Sequence, residues 1–576
     1  MPSVCLLIKR SVYISCVALL VCSHAREEDW NITVGIPVVK VLPPFGNVSL
    51  SARGLSASNL TSSVTCQVHA QVHNVTLSMS AHPGVSTSVN GHDVGVITVL
   101  RIGQTEARWF LMSQHNFSLS VVVAVTELTD QNPLPGGCNI EFNLENDANI
   151  HLRYTDYLNV LTFQWSALSF RRDQEHPLDC VSRSDQFSLT YDIYVYYLPG
   201  NDILEDTYIH AVQQMLTVDS VKQIGQKIAS LTYNDKSNIS VVSYPGHGVI
   251  YTVLVTQTGK GSSLYFPVST YSCSLNSSGC EQALKADVAG IVLTTIASFV
   301  GIFICFFGHR FFKTEMFIFG FLSMALVTYI GLIPGELGLA EHLLVAGAVG
   351  VLGGLAWLIF WWFLGIPVLS VLLVGLVAGY VFSSLVFFTP FGDLKYWHNR
   401  FNFGMTFSCG VLILPVLLLC FTRILNILSC AFVGSFSVIL AAGMYLHSEI
   451  KYILLSQFNR FFLPEYNSAI HTVPFQLNEI ILSTLWAVLF ISGTIFQYVR
   501  ERKRPPFPPC PRSKIRARTL YRQQKQDESD ERRPLLRDSQ HRPPSYGRIR
   551  VMSFPRAESD DSRQPDQNTG PEHSLS

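Results

Sequence analysis

Hydrophobic patterning splits this chain near residue 286. Beyond that point seven apolar runs follow one another, at 286–307, 315–333, 342–363, 366–388, 403–421, 424–446 and 479–499. Each is long enough to cross a hydrocarbon layer of about 30 Å as a helix. Before 286, turn clusters alternate with β-branched and aromatic runs, which predicts strands at 118–126, 140–144, 160–165, 189–198, 239–244, 248–256 and 264–271. Asp192-Ile193-Tyr194-Val195-Tyr196 alternates with period two, the mark of a strand with one buried and one wet face. Helical spacing is read at 204–216 and 221–231, and turns at 132–137 and 244–246. The pattern predicts one or two β-sandwich-like modules with a boundary near 130–155. After residue 500, Pro, Arg, Ser, Asp and Gln dominate and apolar residues are too few for a core, so disorder is expected. The predicted fold class is a membrane protein: a β-rich extracellular or lumenal region (26–285), a seven-transmembrane α-helical bundle (286–499) and a disordered cytosolic tail (500–576).

Charge and processing signals orient this pattern. The 576 residues hold 41 Lys plus Arg and 41 Asp plus Glu, so net charge says nothing about nucleic acid, and no nucleic-acid partner is expected. Charges are nearly absent from 286 to 499 and dense beyond 500. Lys9 and Arg10, a short apolar run and Ser23-His24-Ala25 read as a signal peptide over 1–25, with an uncleaved anchor as the alternative. Asn-x-Ser/Thr glycosylation acceptors stand at Asn31, Asn47, Asn59, Asn74, Asn116, Asn238 and Asn276, all before the first apolar run. With the N-terminal region lumenal, the short cytosolic connections hold Arg310, Lys313 and Arg423, and the tail opens with Arg500, Arg502, Lys503 and Arg504. The localisation expected is a multi-pass protein of the plasma membrane or endolysosomal and secretory pathway, with its C-terminus cytosolic.

Candidate chemistry is sparse. Five cysteines fall in the lumenal part, where oxidation is allowed; Cys273 with Cys280 and Cys138 with Cys180 are the disulfide candidates, leaving Cys66 free. His69 and His73 share a strand face, but no ligand pair with metal spacing sits nearby, so no metal site is assigned. Nucleophile-elbow, zincin and P-loop strings are missing, and the helix centres carry no ionisable residue, which argues against an enzyme, a cofactor or an ion-coupled transporter. A G-protein-coupled receptor is disfavoured by the very short connections after the third and fifth runs. Gly350 with Gly354, and Gly375 with Gly379, lie four apart on one helix face, enlarged by Gly347 and Gly353, and permit close helix packing within the bundle or between copies. Pro367 and Pro415 start or kink helices. Residues 450–462 can lie as an amphipathic helix on the lumenal membrane surface.

The tail carries trafficking signals. Its basic start suits anionic lipid headgroups, and Cys510 is a palmitoylation candidate. Glu531 with Leu535 and Leu536 matches an acidic dileucine sorting signal for clathrin adaptors. Pro543, Pro544 and Tyr546 match the Pro-Pro-x-Tyr ligand of WW-domain ubiquitin ligases.

Several long strings carry a family resemblance: Pro135-Gly136-Gly137-Cys138-Asn139, Gly248-Val249-Ile250-Tyr251, Ile304-Cys305-Phe306-Phe307-Gly308-His309-Arg310-Phe311, Phe387-Phe388-Thr389-Pro390 and Arg423-Ile424-Leu425-Asn426-Ile427-Leu428. Through them the chain resembles the transmembrane 7 superfamily member 3 family from about 130 to 510, and its helical region is similar to that of transmembrane protein 198. The first resemblance implies a non-enzymatic protein associated with cell survival and attenuation of endoplasmic-reticulum stress; the second implies a scaffold in Wnt-receptor signalling. The function expected is a scaffold or receptor-like glycoprotein whose lumenal part binds an unidentified protein while the helices contact membrane lipids. The alternative is an uncoupled channel or lipid-handling transporter.

Overall fold

The structure, a computed structural model, describes residues 28–55, 61–155, 157–168, 188–200, 202–275, 280, 288–332, 339–505, 507–508 and 511–531. The signal-peptide segment lies outside them. Among the described residues the first β-domain contains β1 (Glu28–Asn31), β2 (Val38–Leu42), β3 (Asn47–Arg53), β4 (Thr61–His69), β5 (Val75–Ser78), β6 (Ser88–Gly91), β7 (Asp93–Val99), β8 (Glu106–Met112) and β9 (Leu119–Thr129). They form two sheets, ordered β1-β3-β8-β5-β6 and β2-β9-β4-β7. Strand β8 shows why: Ala107, Trp109 and Leu111 are buried while Glu106 and Arg108 face water. Burying each large apolar side chain of this kind contributes about 1.5–3 kcal/mol.

The second β-domain contains β10 (His151–Tyr154), β11 (Leu158–Thr162), β12 (Leu189–Tyr197), α1 (Glu205–Gln214), α2 (Val218–Ile224), β13 (Gln226–Thr232), β14 (Asn238–Val242), β15 (Val249–Gln257), β16 (Ser262–Leu264) and β17 (Val268–Thr270). Its sheets run β10-β11-β14 and β13-β12-β15-β16, with β17 also on β15.

Three local expectations here need correction. Residues 140–144 are not a strand, because the Asn139 carboxamide accepts from the backbone N–H groups of Glu141 and Phe142 and holds a turn. The helix expected over 221–231 stops at Ile224; after Gly225 the chain pairs with β12 as β13. The strand expected over 264–271 breaks into β16 and β17 around Pro267, which has no N–H for the ladder.

Seven long apolar helices follow among the described residues: α3 (Val288–Phe307), α4 (Phe312–Leu332), α5 (Leu339–Leu364), α6 (Pro367–Phe388), α7 (Arg400–Leu418), α8 (Thr422–Tyr445) and, after α9 (Tyr452–Phe462) and α10 (Pro464–Ser468), α11 (Leu477–Glu501). By length and composition they make five stretches able to cross a membrane, of which Gly290–Leu332 has 43 residues and Arg400–Tyr445 has 46. A straight helix of that length would span roughly 65 Å, twice the hydrocarbon layer. Both stretches fold back instead. Ile304 of α3 and Phe319 of α4 pack in one cluster with Cys430, across the short 3-10 turn Gly308–Phe311. Pro415 of α7 and Leu425 of α8 both meet Gly375 of α6.

Glycines set the helix contacts. Phe321 and Ala325 of α4 fill the space beside Gly350, Phe317 that beside Gly354, and Met324 that beside Gly353; the space beside Gly347 is open. A Cβ on Gly379 would collide with the Val411 carbonyl of α7. These small-residue faces, Gly347 apart, are therefore covered inside the molecule. Farther along, Gly301 and Gly434 bring α3 and α8 into backbone contact. At the helix ends away from the β-domains, Asn426 Nδ2 donates to Glu315 Oε2 at 3.0 Å and lies 3.0 Å from His309 Nδ1, and Gln497 Nε2 donates to the Cys305 carbonyl at 2.7 Å.

A second compact unit begins at Ser513. The expectation of an unstructured tail is corrected over α12 (Pro511–Glu531), where proline sits at the helix start and Arg, Lys, Gln and Ala are strong helix formers. Its described side chains are exposed, so it builds no core.

Candidate functional site at the junction of the second β-domain and the helices

The two β-domains are locked together around Asp93. Its carboxylate receives the Tyr208 hydroxyl at 2.8 Å and the Ser269 backbone N–H and hydroxyl at 2.7 and 2.6 Å, and lies 2.8 Å from His69 Nδ1. Burial alone would push its pKa up; the nearby His92 and His69 imidazoles and the Ser269 hydroxyl outweigh it and hold the carboxyl down at about 2. Next to this hub, Asn149 exchanges hydrogen bonds with the Gly95 backbone at 2.8 and 2.9 Å.

The second β-domain is joined in turn to the helices through the segment between α10 and α11. Ile470 N donates to the Ser240 carbonyl at 2.8 Å and Val242 N to the Ile470 carbonyl at 3.0 Å, so Ile470 covers the free edge of β14. Gln476 Nε2 donates to the Leu198 carbonyl at 2.7 Å, and the Tyr197 hydroxyl meets that of Thr472 at 2.6 Å. Leu158, Val242, Tyr244, Tyr466 and Ala469 pack there in one buried cluster.

The amphipathic segment expected at 450–462 does form a helix, α9, but its polar residues Ser456, Gln457 and Arg460 are buried in the protein, which corrects its reading as a surface helix. Arg460 is fully buried: Nη2 donates to the Gly392 carbonyl at 2.6 Å, and the guanidinium lies 4.8 Å from the Phe403 ring centre. Burial pulls its pKa down to about 10, and burial likewise pulls neighbouring His471 down to about 4.

Between these elements lies a cavity of about 760 Å³. Its lining includes Lys227, Asp393, Glu449, His471 and Glu479 together with Leu385, Ile453 and Trp486. Glu479 caps α11, its Oε2 accepting from Gln476 N at 3.0 Å and its Oε1 from Glu449 N at 3.4 Å. Lys227 is engaged by Asp192 at 2.7 Å. Sequence reading singles out none of these acidic residues, because they stand in separate loops and helix ends. Asp393 lies 166 residues beyond Lys227, Glu449 222 and Glu479 252.

Of the glycosylation acceptors, Asn31, Asn47, Asn74, Asn116 and Asn238 are exposed, and Asn59 and Asn276 lie outside the described residues. Cys273 and Cys280 are bonded. Cys138 is disulfide-bonded, and its expected partner Cys180 lies outside the described residues. Cys66 is buried and free, and burial pushes its thiol pKa up. His69 faces Asp93, whereas His73 packs near His115 and Phe117; among the described residues no group of three or more potential ligands could hold a metal. Glu531 ends α12, and Leu535, Leu536, Pro543, Pro544, Tyr546 and Cys510 lie outside the described residues.

Three family models match the chain: "TM7SF3-like, N-terminal immunoglobulin-like domain" over 31–128, "TM7SF3-like, second immunoglobulin-like domain" over 133–276 and "TM7S3/TM198-like domain" over 294–498. Transmembrane 7 superfamily member 3 of Mus musculus is 37% identical over 493 residues, 84% of this chain and 85% of that one. The Homo sapiens protein of the same name is 37% identical over 494 residues, with the same coverage. Among solved structures, a glycoside hydrolase domain of Streptococcus pneumoniae R6 overlaps 41% of this chain and 32% of its own at 8% identity and a TM-score of 0.11, which carries no argument.

Proposed function

The chain belongs to the transmembrane 7 superfamily member 3 family, and on that premise we propose that it is a non-enzymatic, receptor-like membrane scaffold that supports cell survival and attenuates endoplasmic-reticulum stress. It is a multi-pass membrane protein with two immunoglobulin-like domains. The observation that carries the reading is the junction described above: Ile470 adds to the edge of β14 while its own segment leads into α11, so a partner bound by the β-domains can bias the helices.

The same reading has seven crossings, supported by the two fold-backs at Gly308–Phe311 and around Leu419–Phe421. It places the β-domains and their glycans in the lumen or outside the cell, and the C-terminus in the cytosol, where clathrin adaptors and WW-domain ligases read the tail. The positive charges beside the fold-backs and after α11 support that orientation.

The test is a rescue experiment. Cells lacking the protein should show a stronger stress-reporter response to a glycosylation inhibitor, restored by the full chain and not by Ile470→Pro made at equal abundance. Equal rescue by Ile470→Pro, or substrate-dependent flux from purified protein in liposomes, would overturn the scaffold reading. The lipid-handling alternative draws on one observation, the cavity at the junction.

A further inference from the structure

We propose that this cavity binds a single-chain amphiphile with a positively charged amino-alcohol head, a long-chain amino alcohol drawn from the membrane. The inference rests on the helices being membrane spans and holds for a scaffold or a transporter alike.

Shape is the first argument. The volume of about 760 Å³ falls within the roughly 300–1,000 Å³ of ligand pockets. Glu479 and Trp486 lie seven residues apart on α11, about 10 Å along the helix, so the lining passes from carboxylate to apolar surface over that distance. Leu385 and Ile453 continue the apolar end. Phe475 on the wall is exposed, as are Ile480 and Ile481 in the first turn of α11, so the apolar lining continues onto an apolar outer face. Such a slot holds one chain with its head toward the β-domains.

Charge is the second. Glu449 is 7% exposed, and its Oε2 has no hydrogen-bond partner, while Oε1 lies 3.4 Å from His247 Nδ1. A buried carboxylate oxygen without a donor favours a cation beside it. Asp393 and Glu479 add negative charge, and Lys227 is taken by Asp192. The His471 Nε2 on the same wall is also unpartnered. A hydroxyl can pair with it in either tautomer, because a hydroxyl both donates and accepts. An amino-alcohol head brings a cation for the carboxylates of the lining and a hydroxyl for the imidazole.

The experiment uses the full chain in nanodiscs with a photoactivatable sphingosine as probe. Crosslinks should map to peptides covering 383–394, 449–457 or 471–486, saturate, and be displaced by sphingosine but not by palmitate. Glu449→Gln should weaken binding about tenfold through loss of the charged contact while leaving the thermal transition in place. Ile453→Trp, which fills the apolar part of the cavity one turn beyond Glu449 and leaves every carboxylate in place, should block crosslinking and serves as the second variant where Glu449→Gln fails to fold. Equal displacement by palmitate, or unchanged crosslinking in folded Ile453→Trp protein, would overturn the proposal while leaving the scaffold reading intact.

Discussion

Replacing Asp93 should loosen the two β-domains from each other. Its carboxylate gathers donors from both: His69 on β4 of the first domain, and Tyr208 and Ser269 of the second. Asp93→Ala strands these groups in a buried site, which costs about 3–5 kcal/mol, a large share of a typical domain stability of about 5–15 kcal/mol. Asp93→Asn keeps the shape and removes the charge, so its cost is set by the pKa. The carboxyl is lowered from 3.8 to about 2. Because the folded value lies below the unfolded one, this stabilisation is present above about pH 4 and is lost as pH falls toward about 2. A shift of that size corresponds to about 2 kcal/mol. The assay is hydrogen exchange on the full chain, following peptides from β4, α1 and β17 between about pH 5 and pH 2, with thermal melts alongside. Wild type should lose protection at these peptides on acidification, and Asp93→Asn should start lower and change less. Identical acid dependence in the two proteins would refute the assignment of Asp93 as the charged hub.

Three further outcomes are expected. Gly379→Ala should destabilise the helices by about 1–3 kcal/mol through its clash with the Val411 carbonyl, whereas Gly347→Ala, which meets open space, should be neutral or slightly stabilising, both read by thermal unfolding in detergent. Arg460→Met keeps the stem but leaves the Gly392 carbonyl without its donor, and should cost about 1–3 kcal/mol, measured the same way. Leu535→Ala with Leu536→Ala should raise surface abundance, the outcome the proposed dileucine signal requires, read by surface biotinylation.

The apolar helices are legible in the sequence because hydrocarbon demands a long uncharged run, a signal that sums over some twenty neighbouring residues; the expected runs and the helices agree within a few positions. The alternating strand β12 and the nearly continuous apolar strand β15 are legible for the same local reason. Strands β3 to β7 are not, since each carries Ser, Thr or Gly that softens its alternation. Polar burial is hidden altogether. Arg460 reads as the wet face of an amphipathic helix until Phe403 and Gly392 arrive beside it.

Local pattern therefore decides the long apolar helices and the clearest strands, because those preferences are expressed by near neighbours. The tertiary structure alone decides that Asp93 binds two domains together, that Ile470 closes the edge of β14, and that one oxygen of Glu449, Oε2, is buried without a donor at a cavity it shares with apolar side chains. Those outcomes depend on groups brought close from distant positions, where burial removes water and makes a single missing partner matter.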